Sequence, residues 1–257
     1  MEYIKRIVSF DNNARKESIK SILNEIGVDF QIQKFDDAEN IIVPFNSDEK
    51  RLTIGAHWDV EEGSTGANDN ASGCAVLLHV IKDMSLKSDF KGNVDFVFFD
   101  GEEKGSIGAK HYIETVGSGN IISMINLDMC GFGSEILIND KGNFENPLFS
   151  RILSKEVLDR YKVQLIGFMP QGDDYLFEIN NIPNISVCTA DAEAKEFFAA
   201  LADKIRTNQP IDENDQNQFM TLRLTKTMHG GEFDDISSIN EEAVRMTAAY
   251  LLDGLMK

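Results

Sequence analysis

Cysteine is scarce in this chain of 257 residues: there are three, Cys74, Cys130 and Cys188, an odd number set among apolar or small neighbours. That argues against a disulfide framework and for buried thiols in a reducing compartment. Basic residues are also in short supply, 25 lysines and arginines against 43 aspartates and glutamates, for a formal net charge of −18. Such a field repels phosphate backbones and anionic lipid, so neither a nucleic-acid nor a membrane partner is expected. No apolar run approaches the roughly 20 residues needed to span a bilayer. The opening Met1-Glu2-Tyr3-Ile4-Lys5-Arg6 lacks a basic start leading into an apolar core and a cleavage site, so a cytoplasmic location is expected. Repeats and low-complexity tracts are absent too.

What is present is a soluble-enzyme composition, 42% hydrophobic and 26% charged, and a length suited to one well-buried domain, read as residues 1–257. The pattern predicts helices over Asn12–Ile26, Asn70–Met84, Ser106–Val116, Asn146–Tyr161 and Asn240–Met256. Strands are expected at Val28–Gln33, Asn40–Phe45, Leu52–Ala56, Val94–Phe99, Ile121–Leu127 and Asn184–Thr189. Val94–Phe99 is almost wholly apolar, which suits a central strand covered on both faces. The alternation implies an α/β fold: a mixed, mostly parallel sheet sandwiched between helices. The polar stretch Thr207–Asn217 reads as an exposed loop.

Chemistry-bearing residues cluster where strands end. Leu52–Ala56 runs into His57-Trp58-Asp59, Val94–Phe99 into Asp100-Gly101-Glu102-Glu103, and Ile121–Leu127 into Asp128. Sites in open α/β sheets form beyond such carboxyl ends. Asp69 lies in Gly66-Ala67-Asn68-Asp69-Asn70, and His229 follows Met228 near the end. Asp59, two residues beyond His57, points the same way and can accept from the ring nitrogen that faces away from a metal. Imidazoles mixed with carboxylates suit zinc, with cobalt or manganese as alternatives. Five candidate ligands, His57, Asp69, Glu103, Asp128 and His229, exceed what one catalytic zinc takes and suit two ions sharing a bridging carboxylate, for which Asp69 is best placed. Adjacent Glu102 and Glu103 cannot both reach one point, so one is expected to bind metal and the other to act as general base on water. His79 and His111, inside helices, are read as structural. Asp100 is read as organising its turn.

Taken together, these residues resemble the co-catalytic (di-zinc) aminopeptidases, metallopeptidase family twenty-eight, which are related to the glutaminyl cyclases. His-x-Asp, a lone Asp in a Gly/Asn loop, Glu-Glu, Asn-Leu-Asp and a late His stand in that family's order over His57 to His229. The resemblance implies a zinc-exopeptidase fold, His57 and Asp128 on one ion, Glu103 and His229 on the other, and Asp69 between them. It makes Glu102 the base and Asp59 the residue orienting His57, and it implies a cis peptide just after Asp69. The chain departs from the pattern at Met228, where relatives carry a tyrosine, at Gly230-Gly231, and at Gly172-Asp173-Asp174, which lacks the family's histidine. Tyr175 is a candidate substitute donor to the substrate. Phe132, Phe168, Met169, Tyr175 and Phe177 are candidate pocket residues.

The activity implied is hydrolysis of the first peptide bond of a peptide with a free amino terminus, through a two-zinc-activated water. The alternative is a glutaminyl cyclase-like aminoacyltransferase, or a related amidohydrolase or carboxypeptidase. A catalytically silent binding module is disfavoured, because no ligand of the set is missing.

Overall fold

The computed structural model describes residues 1–36, 38–46, 50–87, 90 and 92–256. Among them, eight strands form one sheet: β1 (Gln31–Phe35), β2 (Ala38–Phe45), β3 (Arg51–His57), β4 (Val94–Phe99), β5 (Ile121–Leu127), β6 (Glu135–Asn139), β7 (Gln164–Ile166) and β8 (Asn184–Ala190). Their order is β1-β2-β4-β3-β5-β8-β6-β7. The middle, β4-β3-β5-β8, is parallel, and β6 runs parallel to β7. The β1-β2, β2-β4 and β6-β8 pairs are antiparallel.

Helices α1 (Glu2–Ile7), α2 (Asn12–Ile26), α3 (Gly73–Ser85), α5 (Lys155–Tyr161) and α9 (Glu241–Met256) contribute to the core on one face. Helices α4 (Ile107–Val116) and α6 (Asp174–Ile179) cover the other. The residues of β4 divide accordingly: Val94, Phe96 and Phe98 join the first layer, Val97 and Phe99 the second. Each such side chain, fully buried, contributes about 1.5–3 kcal/mol. Helices α7 (Ala192–Arg206) and α8 (Glu213–Thr221) lie toward β6 and β7, where Phe197, Phe198, Leu201 and Phe219 gather around Leu137 and Ile166. Cys74, Cys130 and Cys188 are buried free thiols. Among the described residues no helix is long and apolar enough to cross a membrane.

The sheet and its helices match the expected α/β class, and four expectations shift. The first strand starts at Gln31, not Val28. The second helix is regular only from Gly73, because Asp69 (φ −108°, ψ 90°) and Asn70 (φ −135°, ψ 43°) leave helical backbone. Of the helix expected over Asn146–Tyr161 only Lys155–Tyr161 forms; Asn146 instead accepts from the Leu148 amide in a local turn, and Ser154 caps α5. The expected loop Thr207–Asn217 contains the start of α8, nucleated by a capping box between Asp212 and Asp215.

Candidate metal centre

Parallel pairing of β3, β4, β5 and β8 puts their carboxyl ends on one rim. His57 pairs in register with Phe99, and the Trp58 amide continues the ladder to the Phe99 carbonyl at 2.8 Å. Asp128, just past β5, donates its amide to Val187 O of β8 at 3.1 Å. Asp69 is delivered by the irregular turn Ala67–Ser72, which Asn70 fastens by donating to the Leu127 carbonyl and accepting from the Gly73 amide. The Asp69–Asn70 peptide is cis, as the resemblance implied. Glu102 and Glu103 stand on a short turn after β4, and His229 occupies a left-handed position (φ 51°).

These segments bring the five expected ligands together. Asp69 faces an imidazole with each oxygen: Oδ1 lies 3.0 Å from His57 Nε2, and Oδ2 lies 3.4 Å from His229 Nε2. Asp128 Oδ1 is 3.6 Å from His57 Nε2, and Glu103 Oε2 is 3.2 Å from His229 Nε2. The arrangement is two half-sites sharing one carboxylate. Asp59 stands behind: its Oδ1 is 3.4 Å and its backbone oxygen 3.3 Å from His57 Nδ1. A proton on Nδ1 therefore leaves the Nε2 lone pair turned toward Asp69 and Asp128. The Asp59 carboxylate also accepts from the Glu102 and Glu103 amides, at 3.1 and 3.2 Å, which holds the Glu-Glu turn against the His57 strand.

The electrostatics are those of acids crowded out of water. Burial, together with the charges of Asp128, Asp173 and Asp69, pushes the Glu102 carboxyl up to about 9. Burial raises Asp128 as well. For Asp69 burial acts upward, but His229 and His57 outweigh it and hold the carboxylate below its usual range. Asp69 and Glu103 raise His229 to about 10. Burial opposes charge on His57, yet Asp128, Asp59 and Asp69 lift it well above the usual imidazole value. Buried atoms with no hydrogen-bond partner include His57 Nε2, Glu103 Oε1 and Asp128 Oδ1. Such orphaned atoms cost free energy unless something binds them, and a divalent cation suits this oxygen and imidazole set. One ligand atom each from His57, Asp69 and Glu103 already lies within 4.8 Å of the others.

A cleft of about 210 Å³ opens over these groups. Asp69, Glu102, Glu103, Asp128 and His229 line it together with the apolar Met129, Met169, Pro170, Phe198, Phe219, Leu224 and Met228. Met228, in the place of the expected tyrosine, is thus an apolar wall. Of the candidate pocket residues only Met169 lines the cleft. Phe177 is buried against Phe99 and Tyr112, and Phe132 belongs to the core beside Arg223. Phe168 lines a separate outer groove. Tyr175 is 44% exposed and absent from the lining. It follows Asp174, whose carboxylate is tied to Lys141, the Asn126 amide group and the Gly172 amide, so α6 starts at a fixed place with Tyr175 outside the cleft.

Asp173 was singled out only as a departure, yet it is buried with both carboxylate oxygens unpartnered, and burial raises it to about 8. Its loop is close: a methyl group on Gly172 would stand 3.2 Å from Asp128 Oδ2 and 3.3 Å from Glu102 Oε1. The Asp100 carboxylate accepts from the Glu39 amide at 2.8 Å, which ties the turn after β4 to strand β2. His79 packs on Tyr3 and His111 on Phe35, both in structural settings.

Several known proteins are similar to this chain. "Endoplasmic reticulum metallopeptidase 1" of Mus musculus is 26% identical over 211 residues, covering 73% of this chain and 23% of that protein. "Aminopeptidase Y" of Saccharomyces cerevisiae is 32% identical over 149 residues, covering 54% of this chain and 27% of that protein. The chain thus spans about a quarter of the length of these relatives. In fold it is similar to the solved glutaminyl cyclase of Porphyromonas gingivalis, with a TM-score of 0.73 at 19% identity, covering 99% of this chain and 95% of that one. The family model described as Peptidase family M28 matches residues 40–251, and the chain belongs to that family.

Proposed function

We propose that this chain is a metal-dependent exopeptidase that removes the amino-terminal residue from peptides. The observation that carries the reading is Asp69 standing between two imidazoles, its oxygens 3.0 and 3.4 Å from His57 and His229. His57, Asp128 and Asp69 would hold one divalent ion, and Glu103, His229 and Asp69 the other. Zinc is the metal best matched to the donors. When bound, the ions supply a water of lowered pKa and a polarised carbonyl.

The remaining work falls to the chain. Asp59 holds His57 in the tautomer that presents Nε2. Glu102 takes a proton from the attacking water and returns it to the departing amine. Its carboxyl stands near 9 because it is buried among other acids; positive charge placed between those acids brings it down into the range of a base. Asp128 and Glu103 put negative charge where the substrate's ammonium group arrives. Met129, Met169, Phe198, Phe219, Leu224 and Met228 offer apolar surface to its first side chain.

A second reading, cyclisation of amino-terminal glutamine, is favoured by Asp173, a second buried carboxyl that acts electrostatically on Glu102. Cyclisation moves a proton from the attacking amine to departing ammonia, and two neighbouring buried carboxyls suit that relay. A panel of aminoacyl-amides and glutaminyl peptides, assayed with zinc, cobalt or manganese, separates the two readings. A free amino acid released from ordinary peptides supports the exopeptidase. Ammonia and a blocked amino terminus, from glutaminyl substrates alone, would replace it with the cyclase.

A further inference from the structure

We propose that Asp234 is a positioning residue that sets where His229 stands relative to Asp69, acting through the turn Ser64-Thr65-Gly66. The inference rests on the two-ion reading above. It begins from a contrast between the two imidazoles. His57 is buried and backed by Asp59, whereas the His229 side chain is 46% exposed, and its ion-pair partners are Asp69 and Glu103, which belong to the metal centre itself. His229 and Gly230 both take left-handed backbone (φ 51° and 73°), so the ring's direction depends on how that turn is anchored.

Asp234 supplies the anchor. Its buried carboxylate accepts from the Gly230 amide at 2.8 Å, the residue directly after His229. The same carboxylate accepts from Ser64 Oγ at 2.5 Å, the Thr65 amide at 3.1 Å and Thr65 Oγ1 at 2.8 Å. One side chain thus joins the His229 loop to the turn that leads into Asp69. The other face of that turn is gripped by Arg15, which is wholly buried. Arg15 Nη1 donates to the Thr65 and Gly66 carbonyls at 3.2 Å each, and Nε to the Trp58 carbonyl at 2.6 Å, next to His57. Gly66 allows this approach: it has φ 61°, and a methyl group there would lie 2.5 Å from Arg15 Nη1. A turn clamped between a carboxylate and a guanidinium therefore registers the segments that bring His57, Asp69 and His229. A buried carboxylate with all these donors is held in place, which is what a half-exposed ligand on a left-handed turn needs.

A plain loop staple would affect stability alone; a positioning residue also affects metal retention. The test equilibrates the full chain with zinc at set free concentrations and measures bound zinc by elemental analysis, with the melting temperature of the metal-free protein in parallel. The variants are Asp234→Ala, Asp234→Asn and Thr65→Val, with His229→Ala as comparator. The parent is expected to bind two zinc ions and His229→Ala one. Asp234→Ala should weaken the ion lost in His229→Ala by about 10–100-fold, as removal of a partner behind a ligand does. Thr65→Val should weaken it less and in the same direction. Folded Asp234→Ala that keeps both ions at parental affinity overturns the proposal. Should that variant not fold, parental zinc affinity in both Asp234→Asn and Thr65→Val overturns it. A parent whose zinc content is untouched by His229→Ala overturns the two-ion reading and this inference together. A parent that binds two ions and cleaves nothing overturns the peptidase reading alone.

Discussion

Glu102 is the residue whose chemistry is most exposed to test. Its replacement by glutamine keeps the shape and removes the proton acceptor, so kcat is expected to fall by about 10²–10⁴ while bound zinc is unchanged. Metal analysis beside the rate separates this from loss of a ligand, and a Gln variant with parental kcat rejects the assignment. His79 offers a test of stability. Burial, with Arg245 and the chain's amino terminus adding like charge, lowers its folded pKa from 6.5 to about 4. Between those values the unfolded chain binds a proton that the folded chain refuses, so stability falls as pH drops from about 6.5 to about 4. The full shift is worth about 3 kcal/mol, cut to roughly 2 by the ring's remaining access to solvent. His79→Gln should flatten that stretch of a melting-temperature profile; a slope equal to the parent's there would count against it. The candidate ligands stood out in the sequence because each follows an apolar strand or sits in a Gly-containing loop. Asp173, Asp234 and Arg15 did not, because in a chain with 43 acids a lone loop aspartate, or an arginine on an amphipathic helix, reads as solvated until the fold buries it.

At the scale of elements, the strands that lead to the candidate ligands were readable, since β4 and β5 are mostly apolar and fall at the expected residues. The cap made by α7 and α8 was not. Thr207–Asn217 is polar, and what turns Glu213–Thr221 into a helix is the Asp212/Asp215 box together with Lys204, which reaches back from α7 to Asp215 at 2.6 Å. The hydrophobic edge of that short helix is Phe219, which stacks on Phe197 (centroids 6.1 Å apart) and lines the cleft. An element built by capping rather than by apolar periodicity hides from pattern reading while supplying part of the cleft wall. Phe219→Ala should therefore cut kcat/KM for substrates with a bulky apolar first residue by roughly tenfold, mainly through KM, and leave alanine-first substrates nearly unchanged. Equal losses on both would remove Phe219 from the pocket wall.

For the whole molecule, the charge of −18 would outlast metal binding: two divalent ions, as proposed, would neutralise only four of those charges and leave the chain strongly anionic. The acids proposed as metal ligands line a cleft with apolar residues, where a low-dielectric wall would concentrate the field on an approaching ammonium group. On the exopeptidase reading, a substrate with a free amino terminus and a basic second residue should be drawn in, and one with an acidic second residue held off. Salt screens such forces over a Debye length of about 10 Å at 0.1 M. Raising ionic strength from about 0.05 to 0.5 M should lower kcat/KM about fivefold for the basic substrate and raise it for the acidic one, so that the two converge. The comparison uses one protein and one reacting bond, so any direct effect of salt on the chemistry is shared by both. If the two substrates respond in parallel, the surplus acid serves solubility alone and plays no part in recruiting peptides.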